Sequence, residues 1–184
     1  MRRLFWVILA LTIATFCGLS VSARSKKLQI IDNLDIKRYA GTWYEIARLP
    51  NWFERNCGCN ITATYSLNKD GTINVANQCD KKDGKAEIAN GAGKFKDQKS
   101  RNGHLKVTFA PSWLRLVPLV WADYCILYLD DDYRFALIGE PGRKYLWILA
   151  RERKIEHSQF DKMLKIARDQ GFDLSPLIRL IEPI

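Results

Sequence analysis

The chain predicts an all-β fold of eight antiparallel strands, closed as a barrel or paired as a sandwich, with one α-helix after them. Three observations carry this. Apolar residues between Trp43 and Arg151 recur at period two in short runs, the mark of strands with one buried face. Turn residues break those runs at Asn68-Lys-Asp-Gly71, Lys81-Lys-Asp-Gly84, 97–103, Asp130-Asp-Asp132 and Pro141-Gly142. Past Arg151 the period changes, and Phe160, Met163, Leu164 and Ala167 fall on one helical face.

The strands read as 42–49, 59–67, 72–79, 86–95, 104–110, 124–129, 134–139 and 145–151. The helix spans about 158–170, with Ser158 and Asp161 as its N-terminal cap and Gly171 as its stop. A short tail at 177–181 adds a last strand.

With 184 residues the chain is sized for one domain. Residues 1–23 read as a signal peptide: Arg2 and Arg3, an apolar run from Leu4 to about Phe16, then Val21-Ser-Ala23 as the cleavage site. The run falls short of the roughly 20 residues that cross a bilayer. An exported single domain at 24–184, periplasmic or secreted, is therefore expected. Cys17 supports an alternative, an outer-membrane lipoprotein anchored through that cysteine, although Phe16 stands where such sites usually carry a small residue.

Four cysteines follow the leader: Cys57, Cys59, Cys79 and Cys125. An even number in an exported chain favours disulfides over metal ligands or a catalytic thiol. Cys57-Gly-Cys59 is too tight for a zinc knuckle, and no paired histidine follows. The formal charge of +9 includes Arg2 and Arg3 of the leader. Apart from small clusters at 24–27 and 81–85, basic residues are interspersed with acids, without the aromatic interleaving of single-strand binders. Nucleic acid is thus not an expected partner; contact with an anionic membrane surface and an ordinary soluble surface are the alternatives.

No phosphate-binding loop, Gly-x-Ser-x-Gly or His-Glu-x-x-His pattern is present, and no cofactor is expected. The two histidines, His104 and His157, lack an evident acid–base partner. The chain reads as a non-enzyme. The enzymatic alternative requires a free pocket thiol at Cys59 or Cys125.

Specific motifs sharpen the fold. Gly41-Thr-Trp43 opens the first strand, Asp130-Asp-Asp-Tyr133 fills the sixth turn, and Arg151 ends the eighth strand after Tyr145-Leu-Trp-Ile-Leu-Ala. Together with Ile31-Asp-Asn-Leu-Asp-Ile-Lys-Arg-Tyr39 and Thr62-Ala-Thr-Tyr-Ser-Leu67, this order resembles the lipocalin family, in its branch of bacterial lipocalins and apolipoprotein D. The resemblance covers nearly all of 24–184. It implies an up-and-down eight-stranded barrel, or calyx, with the helix packed outside. It also implies a small apolar ligand, most readily a fatty acid or lysophospholipid, and a role in lipid carriage or envelope maintenance. Gly41, Trp43 and Arg151 then form the structural base, with the guanidinium over the indole.

The same resemblance turns Trp147, Tyr65, Asn77 and Phe135 into the calyx. Alternation along each strand adds Ile61, Ala63, Ile73, Val75, Leu105, Val107, Phe109 and Leu137, and puts His104, Lys106 and Thr108 outside. Small inward residues at Ala63 and Gly139 favour an open interior over a filled one. If Leu67 faces Gly71, then Tyr65 faces Ile73, Ile61 faces Asn77 and Cys59 faces Cys79. That register pairs Cys59 with Cys79, and since all four cysteines fall at the open rim, Cys57 is expected with Cys125; the rival scheme is Cys57–Cys79 with Cys59–Cys125.

At the mouth, Trp52, Phe53, Trp113 and Leu114 join the apolar loop 111–121, which reads as a lid, a membrane foot, a homodimer contact or core. Arg55 and Arg115 are placed to meet an anionic headgroup. A protein-interaction module with a filled barrel is the competing function. The facing of Glu45 stays open, because a bulge in the first strand would reverse it.

Overall fold

The computed structural model describes residues 27–184. The expected leader, its cleavage site and Cys17 lie outside the described residues.

The chain enters through a single-turn helix, α1 (Ile36–Tyr39), capped by Asp35, whose carboxylate accepts from the Lys37 and Arg38 amides. Eight strands follow: β1 (Gly41–Arg48), β2 (Cys57–Leu67), β3 (Ile73–Lys81), β4 (Ala86–Phe95), β5 (His104–Thr108), β6 (Ala122–Leu129), β7 (Phe135–Gly139) and β8 (Leu146–Ala150). Each pairs antiparallel with the next, and β1 pairs with both β8 and β2, which closes the barrel. Closure satisfies most backbone groups of the wall by neighbouring strands, although β1 and β2 pair only from Gly41 to Tyr44. Helix α2 (His157–Asp169) packs outside, and β9 (Ile178–Arg179) adds to the edge of β1.

Two apolar layers share the barrel wall. The inner one holds Trp43, Tyr65, Ile73, Val75, Phe95, Leu105, Tyr124, Ile126, Ile138 and Leu149. The outer one lies under α2, where Phe160, Met163, Leu164 and Ala167 meet Leu137, Leu146, Ile148 and Ala150. Strands β6–β8 are therefore apolar on both faces, which erases the period-two signal that reveals facing.

That is why Phe135, Leu137 and Gly139 turn the opposite way from the expectation. Trp147 faces inward as expected, but its partner is Ile138, which sends Leu137 and Gly139 outward. Phe135 and Leu137 pack in the outer layer, and a Cβ on Gly139 would strike Phe172 and Leu127. They belong to the helix seat, not to the calyx.

The helix starts one residue earlier than its predicted cap. Glu156 occupies the N-cap without a side-chain bond, and the His157 amide donates to the Ile184 carbonyl at 3.1 Å, so the C-terminal tail replaces a Ser158 cap.

The β2–β3 register is also shifted. The turn is held by the Asn68 amide to the Thr72 carbonyl at 2.8 Å, which places Leu67 opposite Ile73, Tyr65 opposite Val75 and Ala63 opposite Asn77. A bulge between Cys59 and Thr62 then sets Cys59 opposite Asp80, and the disulfide forms between Cys57 and Cys79, with Cα atoms 5.6 Å apart. Cys59 and Cys125 are free thiols. The expected Cys59–Cys79 and Cys57–Cys125 pairs are thus both absent. Cys125 faces outward into the layer beneath α2, out of reach of the rim cysteines, which also excludes Cys59–Cys125.

Candidate functional site

The barrel is shut at the end where β1 starts. Trp43 is fully buried, its indole N–H donates to the Tyr39 carbonyl at 2.9 Å, and the Arg151 guanidinium lies 3.9 Å over its ring. Arg151 also donates to the carbonyls of Thr42, Arg38, Tyr39, Ala40 and Tyr133 at 2.8–3.2 Å, stitching the entry chain and the sixth turn to the wall. Gly41, at φ +98° and with its Cα facing the same guanidinium, occupies a position that any side chain would strain.

Above this floor three phenols form a chain: Tyr39 to Tyr124 at 2.6 Å and Tyr124 to Tyr65 at 3.0 Å. Burial raises all three above the usual tyrosine range, Tyr65 to about 12, so they remain neutral hydrogen-bonding groups at physiological pH.

The middle of the calyx is lined by Ala63, Ile73, Val75, Asn77, Val107 and Trp147. The Phe109 ring continues this lining beyond β5, over Gly91, whose Cβ would come within 2.9 Å of it. Ala63, Asn77, Val107 and Trp147 are only half-buried although they point into a closed wall. The inner face at mid-height is therefore not completely filled by other side chains. The Asn77 Oδ1 is itself buried and has no hydrogen-bond partner in the protein, an acceptor left over for something else.

Near the mouth the lining becomes charged. Glu45, opposite Leu149, faces inward by alternation with Trp43, and a bulge in β1 between Glu45 and Ala47 brings Arg48, opposite Trp147, to the inner face as well. Arg48 donates to Glu45 at 2.8 Å, and its Nε stands 3.3 Å from Glu54, an ion pair too bent to count as a hydrogen bond. Glu54 also accepts from Asn51 and from the Trp147 indole N–H. Burial, and then the negative charge of Glu54, push Glu45 up to about 8, against the pull of Arg48. At neutral pH the cluster thus balances one guanidinium against one carboxylate.

Arg48 and Glu54 went unrecognised in the sequence. The available signal was two charges in the otherwise apolar run Tyr44-Glu-Ile-Ala-Arg48, but the bulge that turns Arg48 inward beside Glu45 has no signature there.

The rim is apolar. Among the described residues eleven large hydrophobic side chains are exposed, and eight of them belong to the open end: Trp52, Phe53, Ile88, Phe109, Trp113, Leu116, Val117 and Leu119. Leu116 and Leu119 are 91% and 93% exposed, so the 111–121 loop does not fold inward as core. Leu114 is half-buried, and Arg115 is tied to the Ala110 carbonyl, while Arg55 is exposed. Trp52, Phe53, Tyr145 and Trp147 make a continuous run of ring contacts from rim to interior.

Comparison with known proteins agrees with this architecture. A family model described as a lipocalin-like domain matches residues 34–182. Temperature-induced lipocalin-1 of Arabidopsis thaliana is 41% identical over 153 residues, 83% of this chain and 81% of that protein. Outer membrane lipoprotein Blc of Citrobacter freundii is 38% identical over 184 residues, 98% of each chain. Among solved structures, insecticyanin from the tobacco hornworm Manduca sexta has the same fold, with a TM-score of 0.66 at 22% identity over 85% of each chain. Sequence and architecture agree over most of the length, and the chain belongs to the lipocalin family.

Proposed function

We propose that this lipocalin binds and carries a small apolar ligand, a fatty acid or a lysophospholipid, inside its calyx. The observation that carries this reading is the inner surface at Ala63, Val107 and Trp147, apolar and only partly covered by other side chains, with the unpartnered Asn77 Oδ1 beside it. A chain of about a dozen methylenes gains roughly 0.8 kcal/mol for each one buried. Lost translational freedom and ordering offset a large part of that gain.

Binding, not catalysis, is the activity proposed. Burial pushes the Cys125 thiol up to about 11, which keeps it protonated and poorly nucleophilic, and the apolar layer under α2 encloses it. Export to the cell envelope, by a leader or by a lipid on Cys17, accords with the likeness to outer membrane lipoprotein Blc.

Titration of the delipidated protein with dodecanoate and with a lysophospholipid, followed by tryptophan fluorescence, tests the reading. Saturable quenching is expected, and most of it is lost in Trp147→Phe. A flat response to both lipids from folded protein rejects it and favours a filled interaction module.

The apolar rim supports a membrane-facing mouth, since exposed patches of this kind mark interaction surfaces. Replacing Trp113, Leu116 and Leu119 by Ser is expected to weaken flotation with anionic liposomes by at least about tenfold, in line with the loss of three exposed apolar side chains that the bilayer interface would bury. Unchanged flotation rejects the membrane foot.

A further inference from the structure

Strands β1 and β2 part halfway up the barrel. Their pairing runs from Gly41 opposite Tyr65 to Tyr44 opposite Thr62 and stops there. Beyond it β1 pairs with β9, and the Leu180 and Ile181 amides both donate to the Ile46 carbonyl, at 2.9 and 3.3 Å. On the other side β2 is bulged between Cys59 and Thr62, with Asn60 in the left-handed region at φ 53°.

Between the two strands and the C-terminal tail lies a cavity of about 350 Å³, within the range of small-molecule sites. Ile61, Leu180 and Ile181 make its apolar side, while Glu45, Asn60 and Arg153 make its polar side. Glu45 is shared between this cavity and the calyx. It is 5% exposed, its Oε1 accepts from Arg48, and its other oxygen takes no hydrogen bond among the described ones. The Glu45 carboxyl thus lines the cavity with hydrogen-bonding capacity that Arg48 does not use up. Arg153 is anchored nearby, over the Tyr44 ring at 5.0 Å and donating to Asn60 Oδ1.

We propose that this seam is a second, lateral ligand site that takes the carboxylate end of an alkyl amphiphile. Glu45 and Arg153 hold the head, and Ile61, Leu180 and Ile181 cover the start of the chain. The pairing of roles is chemical: Glu45 in its acid form donates a hydrogen bond, Arg153 supplies charge, and neither requires the calyx to be occupied.

The charged and titratable groups acting on Glu45 are Arg48 of its own strand, Glu54 from the 49–56 loop and Tyr65 of β2, while Arg153 after β8 lines the same cavity. Glu45 sheds its proton near pH 8, and above that a second carboxylate would repel the head. The site is therefore occupied at neutral pH and emptied in alkali.

Cys59 lines this cavity and is an exposed free thiol, whereas Cys125 is buried, so the protein carries its own reporter. The rate of Cys59 alkylation by iodoacetamide is measured with and without dodecanoate, alongside tryptophan quenching. At ten times Kd the lipid is expected to slow alkylation about tenfold at pH 7, because only the unoccupied fraction reacts. Protection disappears in Glu45→Ala, with the fold checked by circular dichroism. It persists in Glu45→Gln, which still donates a hydrogen bond, and there it survives at pH 9.5, where wild type loses it.

Quenching without Cys59 protection puts the lipid in the calyx alone and overturns the lateral site. Protection without quenching supports the lateral site and overturns the calyx reading for this lipid. Neither signal overturns both, and undiminished protection in Glu45→Ala overturns the role given to Glu45.

Discussion

Replacing Arg48 by methionine destabilises the protein by about 3–5 kcal/mol at pH 7, the cost of leaving a buried charge without its partner. Methionine keeps an apolar stem of similar length, so the loss is electrostatic. Glu54 is left in the mouth with only Asn51 and the Trp147 indole as donors, and Glu45 loses its one hydrogen-bond donor. Adding Glu45→Gln and Glu54→Gln to Arg48→Met removes the uncompensated charge and is expected to recover most of the stability. Urea unfolding measures this as a fall in midpoint at unchanged m, reversed in the triple variant. A triple variant as unstable as the single one would show that the loss is packing, not charge.

The same cluster sets a pH dependence. Glu45 binds its proton more tightly in the folded protein, near 8, than at its ordinary value of 4.5. The folded state thus holds more protons between these values, and this contribution to stability is complete below about 4.5 and is lost as pH rises through 8. Glu45→Gln removes that slope.

Trp43→Ala costs about 3–5 kcal/mol, the usual range for a large aromatic removed from a tight core. The indole is fully buried under Arg151 and bonded to the Tyr39 carbonyl, and it packs against the Tyr39 ring with centroids 5.0 Å apart. Arg151→Lys is expected to cost about 1–2 kcal/mol. An ammonium cannot reach the five carbonyls that the planar guanidinium serves, but the site is half-exposed and water replaces some of them. A double-mutant cycle between the two positions should give a coupling of about 0.5–2 kcal/mol. Zero coupling would mean that the stacking contributes nothing.

The barrel was legible in the sequence because its strands alternate wherever one face is wet. Strands β3 and β5 show this: Ile73, Val75, Leu105 and Val107 all face inward as their spacing predicts. Where α2 covers the outer face, the alternation vanishes, and the spacing points Phe135 and Leu137 to the wrong side. Bulges hid the rest. One in β1 brings Arg48 inside beside Glu45, and one in β2 moves Cys59 off Cys79 so that Cys57 takes the disulfide. A bulge adds one residue without a composition of its own, so counting along the strand fails just past it.

The most direct test of the ligand-binding account is a set of isotope-filtered nuclear Overhauser contacts from ¹³C-labelled dodecanoate to the protein. The account predicts contacts from the methylenes to Ala63, Val75 and Val107, which face the calyx, and none to Leu137 or Ala150, which face α2. Contacts confined to the outer layer or to the exposed rim, with silence at Val75 and Val107, would contradict it.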